Sequence, residues 1–405
     1  MVHKGVRRVC FFIYIPLTDR DYARYGIDKL KRRGLEVSVL DMTRVINPEY
    51  LKNYAPAELS AYEGIFTAYS RRDIVNYLRD NRGILGIDMM RLNPFNSFFY
   101  RALKRYGIRF IRFYSNKAPS PSADGMGARL IGVLGRIRRG SLKQELPGIW
   151  RKAAFLLEKY YCQPPDFLIA GGGRDLSLLS ADEKKAGIIW AHALDYDIYL
   201  SFLQKEGQVS QQPYCLFLDG YLTCPLDLYT SVLRGGLRDS EIFSNPERYY
   251  SGLRGFFSYL EDKLKIKVVI AAHPRSRYDL HGDYFGGRTV AKGRTAELVS
   301  GAEFVLAQLS TAVNFAVLYK KPIIFLTSQV LEKSLYGSQI YSLARYFGKA
   351  PVDLDRGLCV NFDSEFTVNQ AIYDQYRCDY IKSPGSIDKP FWEIVADQID
   401  KINLA

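Results

Sequence analysis

What this chain lacks narrows its reading first. No two of its cysteines stand at C-x-x-C or zinc spacing. Cys10, Cys162, Cys215, Cys224, Cys359 and Cys378 are scattered, several inside apolar runs where a thiol packs as a small hydrophobe. This usage excludes a zinc module and suits a reducing compartment such as the cytoplasm. No metal cluster is read either, because Asp279, His281 and Asp283 fall in a surface loop. There is no Lys/Arg-rich block, so the net charge of +13 (56 Lys plus Arg against 43 Asp plus Glu) is spread along the chain. That spread argues against a nucleic-acid partner and leaves anionic lipid or anionic substrates as the targets of a basic field. No stretch approaches the roughly 20 apolar residues that span a bilayer. Lys4, Arg7 and Arg8 before the run Val9–Pro16 imitate a signal peptide, but Thr18-Asp19-Arg20-Asp21 follows with no small-residue cleavage site. The glycine run Gly171-Gly172-Gly173-Arg174-Asp175 lacks the full dinucleotide fingerprint, so NAD binding is not expected.

What is present is apolar material for two cores. The chain has 405 residues, 47% of them hydrophobic, which is too long for one ordinary core and suits two. Short apolar runs alternate with longer amphipathic segments, the pattern of a parallel α/β fold. Strands are expected at Val9–Ile15, Leu35–Leu40, Ile65–Thr67, Ile84–Ile87, Ile108–Phe113 (half-exposed, since apolar residues alternate with Arg), Asp166–Ala170 and Ile188–Trp190. A second series is expected at Tyr214–Leu218, Lys267–Ala272, Glu303–Leu306 and Pro322–Leu326. Helices are expected at Tyr22–Arg33, Ser97–Tyr106, Pro246–Lys263, Ala296–Val299, Thr311–Tyr319 and Phe391–Ile402. The join lies in the polar stretch 207–213. The expected organisation is a first α/β domain over 1–205, a second over 206–390, and a last helix within 391–405 that crosses back to the first. Residues 126–139 place Leu130, Val133, Leu134 and Ile137 on one helical face, with Arg129, Arg136 and Arg139 off it. That is either a surface helix touching anionic membrane or a lipid-linked acceptor, or a core helix with a solvated basic face.

Three short elements of the second half sit where ligands bind in open α/β sheets, past the C-terminal ends of strands. Asp219-Gly220 follows an apolar strand, and its carboxylate is a candidate base or nucleophile, or else part of an ordinary Asp-Gly turn. His273-Pro274 follows the next, with Arg275 and Arg277 adding positive charge. The imidazole suits a phosphate oxygen or proton donation to a leaving group, or is a capped histidine in a basic loop. Ser310-Thr311 precedes a helix, where two hydroxyls and free N–H groups suit an anion or simply cap the helix. In the first half, the stretch from Trp190 to Asp197 mixes His192, Asp195 and aromatics. It is a candidate acceptor site, or a helix start with Asp195 as the cap.

In this order, Asp219-Gly220, His273-Pro274 and Ser310-Thr311 resemble the acidic-Gly, His-Pro and Ser-Ser/Thr motifs of bacterial sialyltransferases and related CMP-sugar transferases. The stretch from Gly293-Arg294-Thr295-Ala296-Glu297-Leu298 to Lys321-Pro322-Ile323-Ile324 is similar to these surface-polysaccharide enzymes as well. The resemblance covers the C-terminal half. It implies two Rossmann-like domains facing each other across a cleft (the GT-B fold) and metal-independent transfer of Kdo, sialic acid or a related ulosonic acid. No cofactor is implied beyond the CMP-sugar donor, and the acceptor would be a lipopolysaccharide, lipooligosaccharide or capsule glycan. By the same resemblance His273 contacts the donor phosphate, with Gly220, Pro274 and Arg275 beside it. Ser310 and Thr311 bind the phosphate oxygens, Glu297 meets the ribose hydroxyls, and Asp219 activates the acceptor. Leu218 stands where many relatives carry a second acid. A single Asp-Gly looks more like Kdo-transferase relatives, some of which retain anomeric configuration, so base and nucleophile both stay open for Asp219. A polyol-phosphate transferase and a non-catalytic glycan-binding protein are the competing readings. The expected location is the cytoplasm, peripheral at the inner face of the cytoplasmic membrane.

Overall fold

The computed structural model describes residues 6–53, 59–115, 117–119, 159–174, 176, 179–203, 212–223, 241–278, 282–334, 336–356 and 360–402. The segment 126–139, most of the 207–213 join, His281 and Cys224 lie outside them.

Among the described residues thirteen strands form two fully parallel sheets. The first contains β1 (Arg8–Ile13), β2 (Glu36–Asp41), β3 (Ile65–Thr67), β4 (Leu85–Asp88), β5 (Phe110–Phe113), β6 (Phe167–Ala170) and β7 (Gly187–Trp190), in the order β3-β2-β1-β4-β5-β6-β7. The second contains β8 (Tyr214–Leu218), β9 (Lys267–Ala272), β10 (Val290–Lys292), β11 (Val305–Ala307), β12 (Ile323–Thr327) and β13 (Val352–Asp353), in the order β10-β9-β8-β11-β12-β13. Each order reverses direction once, between β1 and β4 and between β8 and β11, as in doubly wound sheets.

Side-chain alternation explains why the strands read as continuous apolar runs. In β1, Val9, Phe11 and Ile13 enter one core, while Cys10 and Phe12 enter the core on the other face. In β8, Leu216 and Leu218 face one core, and Cys215 and Phe217 the other. A parallel sheet covered on both faces needs apolar residues at both parities.

The expected half-exposed strand around Ile108–Phe113 is instead internal to the sheet. Arg112 is only 5% exposed, because its guanidinium is held by Asp88 at 3.2 Å and Glu183 at 2.8 Å. A paired cation is accepted in a core position that period-two patterning assigns to solvent. The single helix expected over Tyr22–Arg33 is two, Asp19–Arg24 and Ile27–Arg32, broken at Gly26 in the left-handed conformation (φ 59°). Against this break lies Trp392, whose Nε1 donates to the Arg24 carbonyl at 2.7 Å. Trp392 belongs to the helix Phe391–Ile399, which packs into the core of the first sheet with Val9, Phe11 and Leu30. This helix therefore belongs to the core of the first sheet, although it follows the second sheet in sequence. The chain returns over the glycine run: Gly173 N–H donates to the Cys378 carbonyl and Ser383 N–H to the Gly171 carbonyl. The glycines seat the returning backbone. β10 and β13, three and two residues long, carry too little pattern to be read from sequence. No helix among the described residues is long and apolar enough to cross a membrane.

Candidate active site between the two sheets

A cavity of about 290 Å³ lies at the reversal point of the second sheet and is walled on the other side by helices of the first domain. From the second sheet its wall takes Asp219 and Gly220 after β8, His273 and Pro274 after β9, Gly293 and Thr295 after β10, and Leu309 to Ala312 after β11. From the first domain come Arg20 and Arg24 on the helix that follows β1, and Asp195, Ile198 and Phe202 on the helix Leu194–Leu203. A crevice outside the carboxyl ends of strands at a switch point is where doubly wound sheets bind ligands, and this cavity lies at the one between β8 and β11.

Asp219 organises the second-domain wall. Its Oδ1 accepts from Tyr221 N–H at 2.8 Å, and its Oδ2 from His273 N–H at 3.1 Å and Tyr278 O–H at 2.9 Å. The side chain ties the loop after β8 to the loop after β9. Burial pushes its carboxyl above the ordinary range, and the three donors pull the other way. Tyr221 sits at φ 51°, a left-handed conformation costing an L-residue roughly 1–2 kcal/mol. In that pose its ring stacks on the His273 imidazole at 6.2 Å and 13°. A Cβ on Gly220 would stand 2.8 Å from the Leu309 carbonyl oxygen. Glycine here lets the β8 loop lie against the β11 loop.

His273 is held neutral. Burial depresses its pKa most, and the charges of Arg275, Arg20, Lys292 and Arg24 add to it, bringing it down to about 3. Its Nδ1 accepts from Arg275 N–H at 3.2 Å, so the ring proton resides on Nε2. The group on offer is an uncharged N–H donor. Ser310 Oγ accepts from Ala312 N–H at 3.2 Å, which leaves its hydroxyl proton to give. Thr311 is exposed on the same wall. The following helix starts at Val313, two residues later than expected, so Ser310 and Thr311 form the loop ahead of it.

No protein-family model and no curated protein matches the chain. Solved structures do. CalG4, the calicheamicin glycosyltransferase, aligns over 99% of this chain and 98% of its own, at 10% identity and TM-score 0.50. The chain has the GT-B fold. MurG of Acinetobacter baumannii (98% and 100% covered, 10% identity, TM-score 0.49) and the UDP-GlcNAc 2-epimerase from Methanocaldococcus jannaschii (96% and 99%, 11%, 0.46) are similar more loosely. At these identities the likeness is one of fold.

Within the GT-B frame, the cavity gathers Asp219, Gly220, His273, Pro274, Ser310, Thr311 and Asp195. Three other sequence candidates stand elsewhere. Arg275 turns its guanidinium to Asp21 of the first domain at 3.5 Å, so it bridges the domains beside the cavity. Glu297 is drawn to Arg294, one helical turn back, with Arg294 Nε 2.9 Å from Oε2, on the outer side of its helix. His192 is fully buried, its ring nitrogens 3.0 and 2.9 Å from the Ala193 and Lys389 carbonyls. It fastens the returning segment rather than lining the cleft. Asp195 accepts from Asn314 Nδ2 at 3.0 Å and faces Arg24 at 3.5 Å. Burial raises its carboxyl pKa. Sequence reasoning missed Arg20 and Arg24. They stand on the helix Asp19–Arg24, beyond the loop that follows β1 rather than directly at the strand end as Asp219 and His273 do, so strand position did not point to them. Among the described residues no group of three or more His, Cys, Asp or Glu is placed to hold a metal ion.

Proposed function

We propose that this chain is a glycosyltransferase that moves Kdo, sialic acid or a related ulosonic acid from a CMP-activated donor to a lipopolysaccharide, lipooligosaccharide or capsule acceptor. The observation that carries the reading is the neutral His273 imidazole on the same cavity wall as the Ser310 and Thr311 hydroxyls, at the β8/β11 reversal. Such a wall suits a phosphate that gains charge as its bond to the sugar breaks. Hydrogen bonds to an oxyanion in a partly dehydrated site strengthen as that charge develops.

In the reaction the acceptor hydroxyl oxygen bonds to the anomeric carbon. The bond from that carbon to the phosphate oxygen breaks, and its electron pair leaves with CMP. Ser310, Thr311 and His273 hold the departing phosphate. Asp219 has about four acceptor positions, three of them used internally. The fourth remains for the acceptor proton in an inverting reaction, or for attack on the sugar in a retaining one. Asp195, on the opposite wall, binds acceptor hydroxyls. The order Asp219-Gly220, His273-Pro274, Ser310-Thr311 supports CMP over other nucleotides.

Thermal unfolding with saturating CMP, UMP, GDP and NAD tests this, since a ligand that binds only the folded state raises the midpoint. A rise with CMP alone is expected. A rise with UMP or GDP instead overturns the donor assignment and keeps the transferase. No rise with any nucleotide favours a glycan-binding protein on the same fold.

A further inference from the structure

The first-domain wall of the cavity carries two guanidinium groups, Arg20 and Arg24, whose acids are shared with other partners. Asp21 is shared: Oδ1 lies 3.4 Å from Arg20 Nη1 and Oδ2 lies 3.5 Å from Arg275 Nη2. Asp195 divides itself between Arg24 Nη2 at 3.5 Å and Asn314 Nδ2 at 3.0 Å. Three guanidinium groups thus meet two carboxylates, and Lys292 adds its charge at the same imidazole. None of these ion pairs is the short bidentate fork of about 2.7–2.9 Å that Arg and carboxylate prefer. Arg20 and Arg24 both line the cavity, one helical turn apart on the helix Asp19–Arg24, an arrangement that lets two guanidinium groups converge on one anion. Desolvation first, and then the charge of Arg24, lower the pKa of Arg20 to about 10, so the group stays charged at neutral pH.

We propose that Arg20 and Arg24 form an anion subsite that reads the carboxylate of the transferred sugar, on the wall opposite the phosphate loops. The inference rests on the donor reading given above. A CMP-linked ulosonic acid carries its carboxylate on the anomeric carbon itself, beside the phosphate ester oxygen. With the phosphate on His273, Ser310 and Thr311, that carboxylate lies inside the same cavity, which Arg20 and Arg24 line from the first domain. An aldose donor has no charge there, and the second phosphate of a nucleoside diphosphate belongs to the nucleotide side. Arg20 and Arg24 would select an acidic sugar where the second-domain loops select the nucleotide.

The test is calorimetric titration of the full chain, wild type, Arg20→Met and Arg24→Met, at constant ionic strength. The ligands are CMP, the non-transferable 3-fluoro analogues of CMP-sialic acid and CMP-Kdo, and the C1 methyl ester of each analogue. Methionine keeps the apolar stem and removes the charge. The wild type should bind one free-acid analogue at least ~10-fold more tightly than its ester, a ratio typical of a desolvated charge-assisted contact. Each variant should lose that preference while keeping its affinity for CMP. Equal weakening of CMP makes the arginines phosphate ligands and overturns the proposal. So does a wild type that binds acid and ester alike while still binding CMP. A wild type that binds no CMP fails the donor reading first, and the subsite falls with it. Equal unfolding midpoints for the unliganded variants and wild type exclude a folding defect.

Discussion

The imidazole of His273 offers the most direct quantitative check on the site. Its pKa falls from 6.5 to about 3 on folding, through burial first and then the charges of Arg275, Arg20, Lys292 and Arg24. The folded state therefore refuses a proton that the unfolded chain takes up below pH 6.5. Stability linked to this group is fully present above 6.5 and is lost as pH falls toward 3. One proton of difference changes stability by about 1.4 kcal/mol per pH unit. Between pH 6.5 and about pH 5 the loss approaches about 2 kcal/mol, and partial exposure of the ring trims it to about 1–2. Other groups titrate across the same range, so the measurement is a difference. Urea unfolding of wild type and His273→Asn is followed by circular dichroism at several pH values across that window. Asparagine offers an oxygen to Arg275 N–H and has nothing to titrate. The wild type should lose about 1–2 kcal/mol more than the variant over the window. Parallel curves would refute a neutral imidazole at this position, and with it the assignment of the proton to Nε2.

Asp219→Ala removes the acceptor for Tyr221 N–H, His273 N–H and Tyr278 O–H, so we expect transfer to vanish and stability to fall by about 2–4 kcal/mol. An active variant of wild-type stability would sink the assignment. Gly220→Ala forces the β8 loop off the Leu309 carbonyl. It should weaken CMP binding more than it lowers the unfolding midpoint, as titration of the folded variant will show. Trp392→Ala opens a cavity between the returning helix and Phe11 and leaves the Arg24 carbonyl without its donor. The expected cost is about 3–5 kcal/mol by denaturant unfolding, and a cost under about 1 kcal/mol would mean that this helix is not part of the first core.

How far the sequence carried the reading differs from element to element. β1, β8 and β9 were legible because a strand buried on both faces must be apolar at every position, and no tertiary knowledge is needed to see that. Asp219, His273 and Ser310-Thr311 were legible because each follows such a strand, where an α/β sheet opens to ligands. Arg112 was misread because alternation reports polarity, and only Asp88 and Glu183, distant in sequence, make a guanidinium acceptable in the core. The break at Gly26 was missed because its cause, Trp392, lies at the other end of the chain. Glu297 and His192 were drawn into the site by residue type. A salt bridge one turn away claims the first, and two backbone carbonyls claim the second.

The sequence by itself determined the parallel α/β class, the two series of strands and which polar residues stand at their ends, because these follow from local periodicity and from what a strand terminus exposes. Only the tertiary structure decided which of those ends face one another. It brought Arg20 and Arg24 opposite His273, put Arg275 on Asp21, and gave Asp219 three donors that hold two loops in register. Long-range contacts such as these depend on how two sheets pack, and packing leaves no periodic trace in the chain.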